Sequence, residues 1–293
     1  MIKLIATDMD GTLLNDEMEL SAENITAIKQ AQNAGMTVIV ATGRSVEEAR
    51  PILQDAGINV PIITSNGAQI FDKDGKNTFT VGLDTVKLKT AMAILRQHEI
   101  YFELFTDKGG YTENKADRLA SVAHWLKSTS PDLTEDEALV IAKSHMATLP
   151  IKAAENFDEI VARQAAGDLS VLKIFAMAQI GDKNLARARQ ELDKLPGLAV
   201  TSSGSNNIEI NHIDAQKGKS LEKVADRLGI SLSDVAALGD NFNDISMLER
   251  VGASIAMANA EPAVKKIAKY QTLKNTENGV AHAIDKLINQ VWE

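Results

Sequence analysis

Short apolar runs that end in small or polar residues recur along the first and last parts of the chain. They cover residues 2–6, 36–41, 61–64, 235–238 and 253–257. Amphipathic stretches of helical period lie between them, for example residues 21–34 and 45–56. Short apolar runs bounded by turn residues predict buried strands, and their alternation with helices predicts a parallel sheet. We therefore expect an α/β fold with a Rossmann-like parallel sheet.

The middle of the chain has a different pattern. Residues 70–81 predict a hairpin that turns at Asp74-Gly75, and beyond residue 84 helical patterns mix with aromatic strands such as residues 101–105. No dense cluster of acids and glycines occurs in this part, and the elements of residues 132–154 cannot be assigned. The strand-helix alternation resumes at residue 207. We therefore predict a discontinuous core, residues 1–83 and 206–293, with an inserted α+β domain at residues 84–205.

The first apolar run leads directly into two carboxylates, Asp8 and Asp10, followed by Gly11. Ligands of open α/β sheets bind at the carboxyl ends of the strands, and a buried bare carboxylate is very costly. We therefore interpret Asp8 as a nucleophile and Asp10 as an acid/base beside a magnesium ion. Turn chemistry alone also explains Asp-x-Asp-Gly. A calcium loop is disfavoured, because its first position would be Ala6 and a strand precedes it.

A second acidic cluster, Gly239-Asp240-x-x-Asn243-Asp244, follows the strand predicted at residues 235–238. Asp240 lies at the strand end, and Asp244 follows one helical turn later on the same face. Magnesium prefers hard oxygen ligands. Asp8, the main-chain carbonyl of Asp10, and Asp240 would supply them, while Asp244 would orient a water or the lysine from outside the coordination shell. The alternative is a helix N-terminus that carries acids for its dipole.

Further polar residues occur where other strands end or helices begin. Thr42 and Gly43 can bind a phosphate at a helix start, or Thr42 can cap that helix. Lys217 places a cation at another helix start, and Gly218 favours it over a surface lysine because it indicates a close backbone approach. Arg44 and Asn66 are candidates for contacting substrate, although a solvated charge and a turn explain them equally.

Composition narrows the class of protein. Hydrophobic residues make up 44% and charged residues 24% of the 293 residues, as in globular proteins, and no stretch approaches the roughly 18 to 20 apolar residues of a membrane span. The net charge of -9 argues against nucleic-acid binding as the main role. Cysteine is absent, which excludes disulfides and thiolate chemistry. With no signal-peptide pattern at the N-terminus, this favours a cytoplasmic protein.

Taken together and in this order, the motifs resemble those of the haloacid dehalogenase superfamily of phosphatases. The matching blocks are Asp8-Met-Asp10-Gly11-Thr12-Leu13-Leu14, Thr42-Gly43-Arg44, Ser65-Asn66-Gly67-Ala68, Lys217-Gly218 and Gly239-Asp240-Asn-Phe-Asn243-Asp244. The large insert resembles the cap of the Cof-type subgroup, many of which act on sugar phosphates. The resemblance covers both core segments closely, and the cap by position and size only.

The resemblance implies a magnesium-dependent phosphatase acting on a small phosphorylated metabolite. Asp8 would attack phosphorus and form an aspartyl-phosphate, ionised without a base because a free Asp has a pKa of about 3.9. Asp10 would protonate the leaving oxygen and then deprotonate water. Thr42 and Lys217 would hold the phosphoryl oxygens, and Asn243 would contact them or tether Lys217. A phosphomutase of the same fold and a non-enzymatic phosphometabolite sensor are the alternatives.

Overall fold

A computed structural model describes residues 1–129, 133–148, 151–179, 181–204 and 206–292. The chain divides into two compact units, the first made of Met1–Thr80 with Asp214–Glu293 and the second of Val81–Ile213. The strands are β1 Leu4–Thr7, β2 Thr37–Ala41, β3 Ile62–Thr64, β4 Gln69–Phe71, β5 Asn77–Thr80, β6 Tyr101–Thr106, β7 Gly109–Thr112, β8 Lys152–Ala153, β9 Val171–Met177, β10 Leu198–Thr201, β11 Asn207–His212, β12 Val235–Gly239, β13 Ala253–Ala256 and β14 Tyr270–Gln271. The α-helices are α1 Ala22–Asn33, α2 Val46–Asp55, α3 Thr85–Gln97, α4 Lys115–Thr129, α5 Glu135–Thr148, α6 Phe157–Ala165, α7 Lys183–Leu192, α8 Lys217–Leu228, α9 Ile245–Leu248, α10 Pro262–Ile267 and α11 Gly279–Ile288.

The first unit is built on an eight-stranded sheet in the order β14-β13-β12-β1-β2-β3-β4-β5. The strands from β14 to β3 are parallel, and the β4–β5 hairpin continues the sheet in antiparallel fashion. Strand β1 lies at the centre, where Leu4 pairs with Val235 on one side and Thr37 on the other. All four of its residues are buried, as expected for a parallel strand covered on both faces. The predicted parallel α/β core and hairpin are confirmed.

Polar side chains start the helices of this unit where the sequence pattern indicates. The Ser21 hydroxyl accepts a hydrogen bond from the Asn24 N–H at the start of α1. Ser45 and Glu48 form a reciprocal capping box at the start of α2. The buried face of each helix then packs on the sheet, so that local capping and long-range burial specify the same helix boundaries.

The carboxyl ends of β1, β2, β3 and β12 lie at one edge of the sheet, because the four strands are adjacent and parallel. Residues 8–13 leave β1 in a tight turn in which Gly11 has a φ of 72°, a conformation that favours glycine. The same edge carries Asp8, Thr42 and Asp240. The topology therefore brings together residues that are more than 200 positions apart in the sequence.

The second unit contains a six-stranded sheet in the order β10-β11-β9-β6-β7-β8. Its pairs are antiparallel except β7 with β8. Leu104, Ile174 and Ile210 are in register and belong to the apolar core of this unit. Glu103 and Glu209 are the neighbours of Leu104 and Ile210 along their strands. Because side chains alternate between the two faces of a sheet, the opposite face carries charge.

One strand was predicted in the wrong unit. Strand β11 was expected to open the second core segment, but it pairs with β9 and β10 in the second unit. Its alternation of polar and apolar residues is typical of an antiparallel strand and differs from the continuous apolar strands β1 and β12 of the first sheet. The second unit ends at Ile213, and it begins at Val81 where residue 84 was predicted. The predicted end, Ser205, lies outside the described residues.

Candidate active site

A buried lysine connects two carboxylates from distant parts of the first unit. Lys217, the first residue of α8, is 0% exposed. Its Nζ donates to Asp8 Oδ1 at 2.6 Å and to Asp244 Oδ1 at 2.7 Å. Asp244 also accepts, through Oδ2, the N–H groups of Asp240 and Asn241 at 2.9 and 3.0 Å. Of the predicted arrangements, the structure therefore has Asp244, rather than Asn243, bonded to the lysine.

Asp240 completes the carboxylate group at the end of β12. Oxygens of Asp8, Asp240 and Asp244 all lie within 4.8 Å of one another. Thr12, in the turn after β1, donates its hydroxyl to Asp240 Oδ1 at 2.8 Å. A side chain at Gly11 would place its Cβ 2.6 Å from Asp240 Oδ2, so only glycine permits this approach.

Burial determines the protonation of this cluster. Desolvation, reinforced by Asp244 and only partly opposed by Lys217, raises the pKa of Asp8 well above its ordinary value. Burial and then Asp244 raise the pKa of Asp240 to about 7. Burial alone would lower the pKa of Lys217, but Asp244 and Asp8 outweigh it and raise that pKa. Asp8 therefore does not keep the reference pKa of a free aspartate in the metal-free cluster, because burial raises it.

The charge of the cluster fits a divalent cation. Three buried carboxylates, Asp8, Asp240 and Asp244, face one buried cation, Lys217. Buried carboxylates in excess of cations either take up protons or bind a metal. The ligands are hard oxygens, which suit Mg²⁺ or Ca²⁺. Because both Asp244 oxygens already accept hydrogen bonds from N–H groups, Asp8 and Asp240 are better placed as direct ligands. The main-chain carbonyl of Asp10 stays a predicted ligand.

A second group of polar residues links the ends of β2 and β3 to the turn after β12. The Thr42 carbonyl accepts the N–H of Asn66 at 3.0 Å, and Asn243 Nδ2 donates to Asn66 Oδ1 at 3.3 Å. Asn243 is buried, and its Oδ1 lacks a protein partner among the described residues. A buried acceptor with no partner is costly unless a ligand donates to it. Thr42, Asn66 and Asn243 are thus brought together.

The start of α8 is fixed by close packing. A Cβ at Gly218 would lie 1.9 Å from the carbonyl oxygen of Ser246 in α9, so the two helices meet only because this residue is glycine. The Ser220 hydroxyl donates to the carbonyl of Gly67 at 2.7 Å, which attaches α8 to the turn after β3. The predicted close backbone approach beside Lys217 is confirmed, and it explains why the lysine points into the carboxylate cluster.

Asp10 lies outside the carboxylate cluster despite being two residues from Asp8. Its carboxylate is bonded to the guanidinium of Arg44, with Nε to Oδ2 at 2.9 Å. Arg44 was predicted to contact substrate or solvent, and the structure instead pairs it with the candidate acid/base. The prediction also assigned no role to Thr12 or Asn259, which bind Asp240 and the Gly11 carbonyl. In the sequence, the only indication of a role for Thr12 was that a hydroxyl residue directly follows Asp10-Gly11.

Comparison with known proteins agrees with this geometry. The sequence profile of the haloacid dehalogenase-like hydrolases matches residues 5–284. The chain belongs to this family. It is 36% identical over 289 residues to a 5-amino-6-(5-phospho-D-ribitylamino)uracil phosphatase of Bacillus subtilis, covering 98% of this chain and 99% of that protein. It is 28% identical to a pyridoxal phosphate phosphatase of Escherichia coli, covering 96% and 97% of the two chains.

The fold is also that of a solved member of the family. A haloacid dehalogenase-like hydrolase from B. subtilis superposes with a TM-score of 0.87 at 32% sequence identity, covering 98% of this chain and 100% of that one. The family predicted from the motifs is therefore confirmed, as is the prediction of a hydrolase. No helix in the described residues is both long and apolar enough to cross a bilayer.

Proposed function

We propose that this haloacid dehalogenase-like hydrolase is a magnesium-dependent phosphatase of a small phosphorylated metabolite. One observation carries the proposal: the cluster of Asp8, Asp240 and Asp244 has one cation, Lys217, at the carboxyl edge of the sheet. A phosphoryl group approaching Asp8 brings more negative charge, which requires metal and lysine together. The similarity to two phosphatases of phosphorylated metabolites supports the same reaction class.

In the proposed reaction, an Asp8 oxygen attacks phosphorus and the bond from phosphorus to the leaving oxygen breaks. The Asp10 carboxyl gives its proton to that oxygen, so the product leaves as an alcohol. Water then attacks the aspartyl-phosphate, Asp10 takes the water proton, and inorganic phosphate leaves with Asp8 restored. Lys217 and Thr42 hold the phosphoryl oxygens. The Gly43 N–H adds a donor, and so does Asn243 Nδ2, which uses one of its two N–H bonds toward Asn66.

Asp8, Asp240 and the Asp10 carbonyl would hold the magnesium ion, with Asp244 fixing Lys217 beside it. When bound, the ion supplies positive charge to the non-bridging phosphoryl oxygens and favours the ionised form of Asp8. This second effect is needed because burial raises the pKa of Asp8 in the metal-free cluster. In our proposal, binding of the metal would therefore also favour the ionised, nucleophilic form of Asp8.

The leaving group is the least constrained part of the proposal. A sugar phosphate is our first candidate, on the resemblance to Cof-type enzymes. A phosphate ester carried by a nitrogen heterocycle is the second, because the two curated relatives are named for a substituted uracil and for pyridoxal. We propose that the inserted second unit selects between such leaving groups.

A panel assay tests the proposal. Free phosphate is measured with sugar phosphates and heterocycle-bearing phosphates, each with Mg²⁺ and with chelator. We expect magnesium-dependent release and a ranking of the leaving groups. Isomerised ester without free phosphate would indicate a phosphomutase. Ligand binding with Mg²⁺ and no turnover of any member would indicate a sensor and contradict the phosphatase.

A further inference from the structure

Asp10 and Arg44 form a forked ion pair at the carboxyl edge of the first unit. Arg44 Nη2 donates to Asp10 Oδ1 at 2.5 Å, and Nε donates to both oxygens, at 3.1 Å to Oδ1 and 2.9 Å to Oδ2. The Asp10 side chain is 41% exposed and that of Arg44 is 20% exposed. The pair is partly buried and bidentate, a geometry that fixes the plane of a carboxylate as well as attracting it.

The arginine is itself held from two sides by the candidate site. The main-chain N–H of Arg44 donates to the Thr42 hydroxyl at 3.1 Å, and its main-chain carbonyl accepts the Ser65 N–H at 2.8 Å. Its Nη2 also contacts Met18 Sδ at 3.6 Å, on the loop that follows the turn after β1. Arg44 therefore fixes the Asp10 carboxylate relative to Thr42, a residue of our proposed phosphate site.

An acid/base carboxylate needs this kind of support. Proton transfer requires the carboxyl within hydrogen-bond reach of the reacting oxygen, and a small misplacement costs much of the rate. Asp10 is not among the carboxylates held by Lys217, and a guanidinium fork restricts a carboxylate in its plane better than a lysine does. The fork also distinguishes the two oxygens, since Oδ1 accepts two N–H groups and Oδ2 accepts one.

We propose that Arg44 is a positioning residue for Asp10 and that Asp10 Oδ2 is the atom that transfers the proton. The inference rests on the proposed phosphatase activity. In the first half-reaction Oδ2 gives its proton to the leaving oxygen as the bond to phosphorus breaks. In the second, Oδ2 takes a proton from the attacking water. Arg44 keeps its own protons throughout, because a guanidinium does not deprotonate in proteins.

Dependence on the leaving group tests this role directly. Phosphate release is measured with esters of a nitrophenol, of phenol and of a simple alcohol, whose leaving oxygens need increasing help from an acid. Wild type, Asp10→Asn, Arg44→Met, Arg44→Lys and the double variant Asp10→Asn/Arg44→Met are compared. We expect Arg44→Met to lower kcat/KM, which reports the step that releases the leaving group, by about tenfold or more for the alcohol ester and by much less for the nitrophenyl ester, because acid–base assistance contributes about 10²–10⁴. Arg44→Lys should fall between wild type and Arg44→Met.

The double variant distinguishes positioning from substrate contact. If Arg44 acts through Asp10, the double variant is no slower than Asp10→Asn alone. An equal loss on all three esters, a change in KM only, or an added loss in the double variant would overturn the inference. Arg50→Met is the matched control, since Arg50 lies in the same unit over the Phe71 ring and should leave the leaving-group dependence unchanged. A wild-type enzyme inactive on every ester would instead contradict the phosphatase proposal itself, and the inference with it.

Discussion

Each unit buries a lysine beside carboxylates, but the ratio of buried carboxylates to cations differs between the two units. In the first unit Lys217 faces Asp8, Asp240 and Asp244. In the described part of the second unit the two buried carboxylates each have a cation, Glu103 with Arg118 at 2.6 Å and Glu209 with Lys173 at 2.7 Å. A paired buried charge is tolerated in a fold, whereas an excess of carboxylates requires protons or a metal. The comparison supports our proposal that the chemistry takes place in the first unit.

The second unit also shows what a structural ion pair looks like. Lys173 Nζ lies 5.2 Å and 5.7 Å from the ring centroids of Phe105 and Phe175, and its carboxylate partner, Glu209, is also buried. Desolvation raises the pKa of Glu103, and Arg118 opposes that rise. In the first unit, by contrast, the carboxylates also repel one another. The predictions below act on this contrast, in order of decreasing effect.

Removing the proposed nucleophile should have the largest effect on rate. Asp8→Asn is expected to lower phosphate release by about a thousandfold or more, as for other nucleophile substitutions. Its metal-free thermal midpoint at neutral pH should rise, because an amide, unlike Asp8, is buried without first taking up a proton. Glu209→Gln is the matched control. It should destabilise the fold, because the buried Lys173 loses the negative charge of Glu209, and it should not affect phosphate release from nitrophenyl phosphate. Near-wild-type release by Asp8→Asn would remove Asp8 from the nucleophile role.

Removing each buried lysine should separate the two clusters by their response to metal. Lys217→Met and Lys173→Met should each lower the free energy of unfolding by about 3–5 kcal/mol in EDTA, because each removes the lysine that neutralises a buried carboxylate. Urea unfolding with Mg²⁺ should recover part of the loss in Lys217→Met and none in Lys173→Met. Equal responses of the two variants to Mg²⁺ would end the contrast.

The two acids after β12 should differ in their effect on magnesium affinity. Asp244 accepts hydrogen bonds on both oxygens, so Asp244→Asn should weaken Mg²⁺ binding by about 10–100-fold, the usual cost of losing a supporting group. Asp240→Asn should weaken it more, because a direct ligand is lost. Calorimetric titration measures both affinities. A greater loss in Asp244→Asn would make Asp244 the ligand and Asp240 the support.

Stability should depend on pH most strongly without metal. The pKa of Asp240 is about 7 in the fold, above its value in the unfolded chain, and that of Asp8 is also raised. The stability that protonation provides is present at low pH and is lost as the pH rises toward about 7, by up to about 1.4 kcal/mol per pH unit for each group. Urea unfolding between pH 5 and pH 8, values chosen to lie roughly on either side of that pKa, should show this decline in EDTA and a flatter profile in saturating Mg²⁺. Stability that rises over this range in EDTA would contradict the pKa directions.

Sequence reasoning predicted the features that local pattern encodes. The opening strand, the hairpin at Asp74-Gly75 and the polar residues at the strand ends all follow from short windows of sequence. The order of strands at one edge then brings Asp8 to Asp240 and Lys217. The elements of residues 132–154 were not assigned. Strand β11 was given to the wrong unit because its place directly before α8 fits a strand-helix unit, although its alternating pattern is that of an antiparallel strand.

The sequence alone could not predict which distant side chains pair with one another. Nothing in the local pattern distinguishes Arg44 bonded to Asp10 from a solvated arginine, and the two are 34 positions apart. The reference pKa also misled for Asp8, because burial is a property of the folded environment rather than of the Asp-x-Asp-Gly motif. Residue types were therefore predicted well, and their electrostatic state was not.

Titration of Mg²⁺ into the metal-free protein tests the central claim most directly. The titration is run near neutral pH in two buffers of different ionisation enthalpy, so that the heats report both bound metal and released protons. We predict one ion per chain and release of protons on binding, because Mg²⁺ displaces the protons that burial holds on Asp8 and Asp240. Two results would contradict the account. One is the absence of saturable binding, and the other is binding that releases no protons and is unaffected by Asp240→Asn.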